Sequence, residues 1–346
     1  MRMNLKPIGE QVIVITGASS GIGLSTARMA AKKGAKLVLT ARNEAALREL
    51  EQEINSGGSE AIAIVADVGR EEDLHRVADA AIERFGRIDT WVNNAGISIY
   101  GRIEEVDLND ARRMFDTDFW GVVHGSRIAL QHLRERGGAL INVGSTVSDR
   151  AIPLQGFYVA SKHAVKGFTD SLRMEIEEAK LPVSVTLIKP AGINTPFTQH
   201  AKNYMPNEPD FPPPVYAPGT VARSILHAAT HMVRDIMVGG AAKTFNVGEK
   251  YMPRLTDRYM EKTMFSQQQK RRPRERRPDA LYRAGEGLME DGNYEGHVMR
   301  TSAYTSASLH PIATIALLGL AGVAAAAALL MTTEAGREMS EDYLNV

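Results

Sequence analysis

The sequence predicts an α/β fold in which a parallel β-sheet is covered by helices on both faces. Between residues 11 and about 240, short apolar runs, often β-branched, alternate with longer segments of helical spacing. The runs are apolar throughout, as is typical of strands buried on both faces of a parallel sheet. A glycine-rich turn joins the first run to the first helical segment. These observations together indicate successive βαβ units.

The predicted elements follow in regular order. The strands are 11–16, 36–40, 60–67, 88–96, 138–145, 182–190 and 235–239. The helices run from the glycine turn to about residue 33, then over 44–55, 70–85, 109–136, 156–180 and 220–233. The proline-rich segment 205–218 predicts a loop instead, because proline cannot continue regular structure.

The composition excludes several classes of function. The 41 Lys and Arg side chains balance the 41 Asp and Glu side chains, which argues against a nucleic-acid-binding protein. There is no cysteine, so disulfides, thiolate metal sites and cysteine nucleophiles are excluded, and no metal site is predicted. The N-terminus lacks the long apolar run of a secretory signal. The 346 residues suit one large domain or two modest ones.

The segment TGASSGIG (16–23) predicts a dinucleotide site. Gly17 permits a sharp turn, and Gly21 and Gly23 remove side chains where backbone approaches a ligand and where helix packs on strand. The helix N-terminus offers free N–H groups and a positive dipole end to a pyrophosphate. Tight turns need glycine in any case, so the position between a buried strand and a helix carries the prediction.

The residues after the second strand bear on the choice of cofactor. An NAD enzyme would carry a carboxylate near residue 41, but this chain has Ala41 and then Arg42. An arginine can bind the 2′-phosphate of NADP through charge-assisted hydrogen bonds, so NADPH is favoured over NADH. Alternatively, Arg42 caps a helix or faces water. Asp67 either accepts a hydrogen bond from the adenine amino group or caps the next helix.

Tyr158 and Lys162 stand four residues apart, which places them on one face of a helix. A free tyrosine has a pKa near 10, and a neighbouring ammonium favours the phenolate and lowers that pKa. The pair is therefore predicted to exchange a proton with a substrate oxygen as hydride moves to or from its carbon. Ser145, at the end of the fifth strand, is placed to supply a second hydrogen bond.

The sequence resembles the classical short-chain dehydrogenase/reductase family over about residues 8–240. The resemblance is carried by TGASSGIG, NNAG (93–96), Ser145, YVASK (158–162) and PAGINT (190–195), in that order. It implies a Rossmann-like, doubly wound sheet of seven parallel strands. It also implies hydride transfer between a nicotinamide and a carbonyl or alcohol carbon.

The resemblance assigns roles to individual residues. Tyr158 is the proton donor or acceptor, Lys162 lowers its pKa and binds the nicotinamide ribose, and Ser145 holds the substrate oxygen. Asn93 and its neighbours brace the sheet, and Thr195 lies near the carboxamide or the diphosphate. The predicted cofactor-binding residues are Gly17, Ser19, Ser20, Gly21, Ile22, Gly23, Arg42, Asp67, Val68, Asn94, Ala95, Gly96, Tyr158, Lys162, Pro190, Gly192, Ile193 and Thr195.

Two positions depart from the family pattern. Asp118 stands where the family often has an asparagine that holds a water in a proton relay. An ionised aspartate accepts hydrogen bonds but cannot donate them, and its charge would hold Lys162 protonated while opposing the phenolate. Asp118 is therefore kept in the predicted catalytic set, with activity expected to survive at a shifted pH optimum. Ala191 stands where the family usually has a glycine directly after the proline. This difference bears on the geometry of the loop and not on the class of reaction.

The expected substrate is a hydrophobic small molecule with a carbonyl or alcohol group. The candidate pocket residues are mostly apolar, although each has the alternative role of plain packing. They are Ile97, Tyr100, Val147, Leu154, Phe157, Phe197 and Tyr204.

The chain continues beyond the predicted catalytic domain of residues 1–240. Residues 241–305 are predicted to be an extension or linker, mostly helical, with a basic run at 269–278. Within 306–333, the uncharged run 311–331 is long enough to span a bilayer, and a buried helix is the alternative. Residues 334–346 form a polar tail. Basic residues upstream would leave the catalytic domain on the cytoplasmic side; without a span the protein would be cytoplasmic.

The leading hypothesis is an NADP-dependent oxidoreductase associated with the membrane through its C-terminus. The alternative is a membrane-tethered nucleotide-binding scaffold without turnover, to which Asp118 gives some weight. An epimerase or dehydratase on the same fold is a third reading and would need a tightly retained cofactor. By resemblance, a homo-oligomer formed through helices 109–136 and 156–180 is expected.

Overall fold

Seven parallel strands form the central sheet of the protein in a computed structural model that describes residues 5–240, 251–275, 277–310 and 314. Their spatial order is β12-β7-β6-β4-β1-β2-β3. The strands are β1 (Val12–Thr16), β2 (Lys36–Ala41), β3 (Glu60–Val65), β4 (Thr90–Asn93), β6 (Gly138–Val143), β7 (Val183–Pro190) and β12 (Asp235–Val238). The predicted doubly wound, seven-stranded α/β fold is therefore confirmed.

Helices cover both faces of this sheet. The described residues contain the helices α1 (Gly21–Ala31), α2 (Glu44–Ser56), α3 (Glu71–Phe85), α4 (Leu108–Phe115), α5 (Gly121–Arg136), α6 (Gly156–Glu178), α7 (Phe197–His200), α8 (Pro218–Ala228), α9 (Pro253–Gln267) and α10 (Ala303–Leu309), and those that cover the sheet come from residues before β12. Short 3-10 turns occupy Ile8–Glu10 and Thr146–Ser148.

The local sequence explains these elements. Every residue of β1 is buried, as its unbroken VIVIT run requires. The buried positions of α2 are Ala46, Leu47, Leu50 and Ile54, which form one helical stripe against the sheet. The Asn43 side chain caps α2 by accepting from the N–H of Ala46.

The chain reverses direction across the sheet between β1 and β4. From β1 it proceeds outward through β2 and β3, and from β4 it proceeds the other way through β6, β7 and β12. A crevice opens at such a switch point, beyond the carboxyl ends of the strands, and ligands of open α/β sheets bind there. The topology therefore predicts where the site lies before any side chain is considered.

A single π-helical turn, Asp116–Trp120, separates α4 from α5. The sequence predicts one continuous helix over 109–136, because helical spacing does not reveal an extra residue in one turn. The π turn widens the helix locally, and such turns are frequent at functional sites. It carries Asp118, whose side chain is fully buried.

The chain beyond β12 adds strands to the loops that surround this crevice. Strand β13 (Gln269–Pro273) pairs antiparallel with β10 (Asn207–Pro209). Strand β14 (Val298–Met299) pairs parallel with β11 (Val215–Tyr216), which also pairs with β8 (Gly192–Ile193). Two further short strands, β5 (Ile99–Tyr100) and β9 (Lys202–Asn203), pair with each other. The basic run thus contributes a strand, with Arg272 donating to the buried carboxylate of Glu208 at 2.8 and 2.9 Å.

The contacts divide the chain into two compact units, Met1–Thr305 and Ser306–Val346. No helix in the described part of the chain is long and apolar enough to cross a bilayer. The predicted span, residues 311–331, lies outside the described residues except for Thr314.

Candidate active site

One cavity lies at the switch point of the sheet and collects almost all of the predicted site residues. Every predicted cofactor-binding residue except Gly23 lines it, from Arg42 and Asp67 at one end to Tyr158 and Lys162 at the other. Ser145 lines it as well. Residues far apart in the sequence therefore meet at one edge of the sheet, as the order of the strands requires.

The glycine turn has the geometry that the sequence predicts. Gly17 has a φ of +67°, which favours glycine. A side chain at Gly23 would place its Cβ 2.1 Å from the carbonyl oxygen of Gly17, so Gly23 lets the helix pack against the turn. Among the described residues, the N–H groups of Ile22 and Gly23 have no hydrogen-bond partner. A dinucleotide diphosphate fits these unpaired donors at the N-terminus of α1.

Tyr158 and Lys162 lie one turn apart on α6, and both are buried. Ser145 follows β6 and starts the 3-10 turn, where its Oγ accepts from the N–H of Val147 at 3.2 Å. Ser145 also lies close enough to Tyr158 to lower the pKa of its hydroxyl. The predicted catalytic side chains are thus brought together at the carboxyl ends of β4 and β6.

The pKa of Tyr158 differs from the sequence-based expectation. Burial raises this pKa well above its ordinary value, and the charge of Asp118 raises it further, whereas the nearby Ser145 side chain lowers it. The sequence-based expectation was a lowered pKa, whereas burial and Asp118 raise the pKa in this structure; the role of Lys162 stays a prediction. The ammonium lies 5.6 Å from the centre of the Tyr158 ring and is paired with Asp118 instead.

Asp118 and Lys162 form a buried ion pair. Nζ of Lys162 lies 3.5 Å from Oδ2 of Asp118, and the other carboxylate oxygen accepts from the N–H of Ile97 at 2.8 Å. Burial raises the pKa of Asp118, while the Lys162 ammonium and the Ile97 N–H lower it. Nζ also approaches the carbonyl oxygen of Val143 at 3.4 Å. Asp118 therefore reaches Tyr158 only through its charge and through Lys162.

Asn93 and Asn94 hold the strand ends in place. The side-chain amide of Asn93 donates to Asn142 on β6 at 2.8 Å and to Ser126 on α5 at 3.1 Å. The amide of Asn94 donates to the carbonyl oxygen of Thr16 on β1 at 2.9 Å. These bonds fix β4 between its two neighbours and so fix the floor of the cavity.

Arg42 faces the cavity and donates to the carbonyl oxygens of Ala280 and Leu281, the latter at 3.0 Å. Burial lowers the pKa of Arg42, and the charge of Asp67 raises it. No carboxylate of the described residues forms a salt bridge with Arg42. The guanidinium therefore neither caps a helix nor simply faces water.

Asp67 has other protein partners than those the sequence suggested. Its carboxylate pairs with Arg113 and accepts from the N–H of Gly69 at 3.0 Å. The residue that caps α3 is Arg70, so the capping alternative for Asp67 is wrong. Asp67 still lines the cavity.

The catalytic end of the cavity is mostly apolar. Four of the predicted substrate-pocket residues line it: Ile97, Tyr100, Val147 and Phe197. The other three pack beside it instead. Phe157 and Tyr204 belong to the apolar cluster around Tyr158, and Leu154 packs with Tyr100. The hydroxyl of Tyr204 donates to Asp110 at 2.6 Å, which holds the ring away from the cavity.

Sequence reasoning missed several residues that line the cavity. They include Ile152, Phe211, Pro212, His200, Ala280, Ala284, Gly285 and Glu286. Nε2 of His200 is buried and has no hydrogen-bond partner among the described residues, and burial lowers the pKa of this imidazole. The last four belong to the C-terminal extension, where no apolar periodicity pointed to a role. The glycines of the extension were the one feature of its sequence that could have indicated a close backbone contact.

Comparison with known proteins agrees with this geometry. The short chain dehydrogenase family model matches residues 11–205. The oxidoreductase YxnA of Bacillus subtilis is 49% identical over 330 residues, which span 94% of this chain and 93% of that protein. The 11-beta-hydroxysteroid dehydrogenase A of Sesamum indicum is 41% identical over 194 residues, 56% of this chain and 55% of that protein.

Solved structures lead to the same family. An alcohol dehydrogenase from the archaeon Thermococcus sibiricus, complexed with 5-hydroxy-NADP, matches 66% of this chain and 95% of its own with a TM-score of 0.58 and 28% identity. A short-chain dehydrogenase from Streptomyces avermitilis matches 74% and 98% with a TM-score of 0.61 and 26% identity. With the glycine turn, the serine, the tyrosine and the lysine all facing one cavity, the chain belongs to the short chain dehydrogenase family and is an NAD(P)-dependent oxidoreductase acting on alcohol and carbonyl groups.

Proposed function

We propose that the protein is an NADP-dependent oxidoreductase that transfers hydride between the nicotinamide and a carbonyl or alcohol carbon of a hydrophobic small molecule. The observation that carries the cofactor preference is Arg42, which lines the cavity at the end of β2. Position 41, where a carboxylate would bind the ribose hydroxyls of NAD, is an alanine. A 2′-phosphate would supply the anion that Arg42 lacks among the described residues.

The apolar character of the catalytic end supports the proposed substrate class. Ile97, Val147 and Phe197 come from three separate segments of the chain and line it together, and Phe211 stacks on Phe197 with ring centres 6.4 Å apart. The similar Sesamum indicum protein is named for action on a hydroxysteroid, a compact apolar alcohol. We therefore expect the substrate to be apolar around its carbonyl or alcohol group.

The residues of the chain divide the chemistry between them. The bound cofactor supplies or takes up the hydride. The Tyr158 hydroxyl, held protonated by its raised pKa, donates a proton to the substrate oxygen in reduction, and Ser145 hydrogen-bonds to the same oxygen. Lys162 and Asp118 form an ion pair near the Tyr158 phenol, so that their opposite charges offset each other there. The N–H groups of Ile22 and Gly23 would bind the diphosphate.

The cofactor preference is tested with Arg42→Ala. Losing charge-assisted hydrogen bonds to a phosphate should raise the KM for NADPH roughly 10- to 100-fold and leave the KM for NADH nearly unchanged. Arg48→Ala is the matched control, because Arg48 lies on the exposed side of α2 and pairs with Glu51. Equal losses with both cofactors, or a wild-type enzyme that prefers NADH, would contradict NADP preference.

The reaction itself is tested by following the absorbance of NADPH with a panel of apolar ketones. Tyr158→Phe should lose roughly 10²–10⁴-fold in kcat, because it removes the proton donor. The variant should still bind NADPH, because the substitution removes only the hydroxyl and the ring keeps its edge-on packing on Phe197, with ring centres 5.5 Å apart. The alternative of a nucleotide-binding scaffold predicts that no ketone consumes NADPH. Activity restricted to small polar sugars would reject the apolar substrate.

A further inference from the structure

Residues 279–295, which we name the C-terminal strap, lie across the cofactor cavity. They stand outside the part of the chain that the family model matches, which ends at residue 205. Four strap residues, Ala280, Ala284, Gly285 and Glu286, line the cavity together with the glycine turn. The strap is therefore a wall of the nucleotide site that the family motifs do not provide.

On one side of the cavity the strap is bonded to the glycine turn. The N–H of Leu288 donates to the carbonyl oxygen of Ser19 at 2.7 Å, and the N–H of Gly21 donates to the carbonyl oxygen of Met289 at 2.8 Å. This reciprocal pair joins two backbones directly. The N–H groups of Ile22 and Gly23 remain unpaired among the described residues, so the strap leaves the predicted diphosphate donors free.

Side chains reinforce the same edge. The amide of Asn43, at the start of α2, donates to the carbonyl oxygen of Gly285 at 2.9 Å. Arg28 on α1 pairs with Glu290 at 2.9 Å. Contacts from two separate helices thus hold the strap along the Arg42 end of the cavity.

The strap is also bonded to the loop after β7. The side chain of Asn194 accepts from the N–H of Tyr294 and donates to Asp291, each at 3.3 Å. Gly292 lies directly against Thr195, and a Cβ at position 292 would stand 2.2 Å from the carbonyl oxygen of Thr195. The strap is consequently held both at the glycine turn and at the loop after β7, two segments that approach each other closely at Gly21 and Thr195.

The strap also positions Arg42. The guanidinium donates to the carbonyl oxygens of both Ala280 and Leu281, and the Leu281 side chain is fully buried beside Ala280. Main-chain acceptors fixed by a buried side chain hold the planar guanidinium in one orientation. Its remaining N–H groups are left for a ligand in the cavity.

From these contacts we propose that the strap is the roof of the cofactor site: it encloses the bound dinucleotide, holds Arg42 for it, and must detach before the cofactor can leave. The proposal rests on the proposed function only in assuming that a dinucleotide occupies this cavity. Contacts with both the glycine turn and the loop after β7 favour a closed roof, and the continuous cavity that the strap lines favours retention over blockage.

The test measures NADPH dissociation from the purified full-length protein by stopped-flow fluorescence, with excess NADP as the competitor. Gly292→Ala forces the strap away from Thr195 and should raise both the dissociation rate and the Kd by about tenfold or more. Glu290→Gln removes only the pair with Arg28 and should give a smaller increase, about two- to fivefold. Gly167→Ala is the control, because a Cβ at this exposed helical position meets nothing within 4 Å.

Each outcome decides between alternatives. A lower Kd for NADPH in Gly292→Ala would show that the strap blocks the site, and an unchanged dissociation rate in both variants would show that it is no roof. Thermal unfolding checks that Gly292→Ala is folded, and Glu290→Gln carries the test if it is not. A wild-type protein that binds no NADPH would instead overturn the proposed function, so the two failures are distinguishable.

Discussion

The surroundings of Tyr158 favour its neutral phenol over the phenolate. Tyr158 is 9% exposed, and the negative charge of Asp118 acts on it from within the core. Both effects disfavour the phenolate. A tyrosine in this state is a ready proton donor for ketone reduction, while alcohol oxidation, which needs the phenolate, should become faster as the pH rises.

Replacing Asp118 by asparagine tests whether the charge of Asp118 affects the pKa of Tyr158. Because the carboxylate raises the pKa of Tyr158, its removal should lower that pKa and move the rising limb of alcohol oxidation to lower pH, by on the order of one pH unit. The measurement is kcat/KM for oxidation against pH. Asp116→Asn, in the same π turn, is the matched control. Identical profiles for wild type and Asp118→Asn would show that the charge has no influence.

The predicted and observed sites differ chiefly in the ion-pair partners of the charged residues. The motifs identified Ser145, Tyr158 and Lys162, because spacing along one helix and position after a strand are local properties. The pairing of Lys162 with Asp118 depends on a π turn, and the pairing of Asp67 with Arg113 joins the chain after β3 to α4. Sequence patterns do not report such partners, so the direction of the Tyr158 pKa was predicted wrongly.

At the scale of elements, α6 combines catalysis and cohesion. Its first turns carry Tyr158 and Lys162, and its later turns carry the buried Arg173. Arg173 donates to the carbonyl oxygens of Val185 on β7 and Arg234 before β12, each at 3.0 Å. A third bond, to Asp170, measures 2.7 Å. The helix is thereby fixed against the edge of the sheet.

Arg173→Met should therefore destabilise the fold. Methionine keeps an apolar stem but cannot donate to the two main-chain carbonyl oxygens that the guanidinium contacts. The substitution should therefore lower the free energy of unfolding by about 2–4 kcal/mol. Urea denaturation measures the change. Met174→Ala, at the exposed neighbouring position, should stay within about 0.5 kcal/mol of wild type. Equal effects of the two substitutions would contradict the assigned role of Arg173.

The strands and helices of residues 11–240 were predictable, and most of the extension was not. Unbroken apolar runs such as VIVIT and the periodic stripe of α2 report burial directly. Strands β13 and β14 carry polar or charged residues and pair with loop segments, so they have no such signature. The strap is held by main-chain bonds and glycine contacts, which leave almost no trace in a hydrophobic pattern.

At the scale of the whole molecule, the site is complete within one unit. The glycine turn, the catalytic side chains and the C-terminal strap all lie in Met1–Thr305. The apolar run 311–331 begins after that unit ends. Catalysis and any attachment to a membrane are therefore expected to be separable properties of the chain.

Removal of residues 306–346 tests this separation. If the apolar run anchors the protein, the shortened chain should move from the membrane fraction to the supernatant and keep its NADPH-dependent activity per molecule. Removal of the polar tail alone, residues 334–346, is the control and should leave the distribution unchanged. A shortened chain that still sediments with membranes, or a full-length chain found in the supernatant, would reject the anchor.

The two strand pairings that flank the strap have a consequence for the release of the nucleotide. Strand β13 precedes the strap and β14 follows it, and they are bonded to β10 and β11 on either side of Phe211, which lines the substrate end of the cavity. The strap and the loop that carries Phe211 are thus anchored by the same two strand pairs. We therefore expect that displacement of the strap also displaces the loop that carries Phe211, so that release of the nucleotide disturbs the substrate end of the cavity as well.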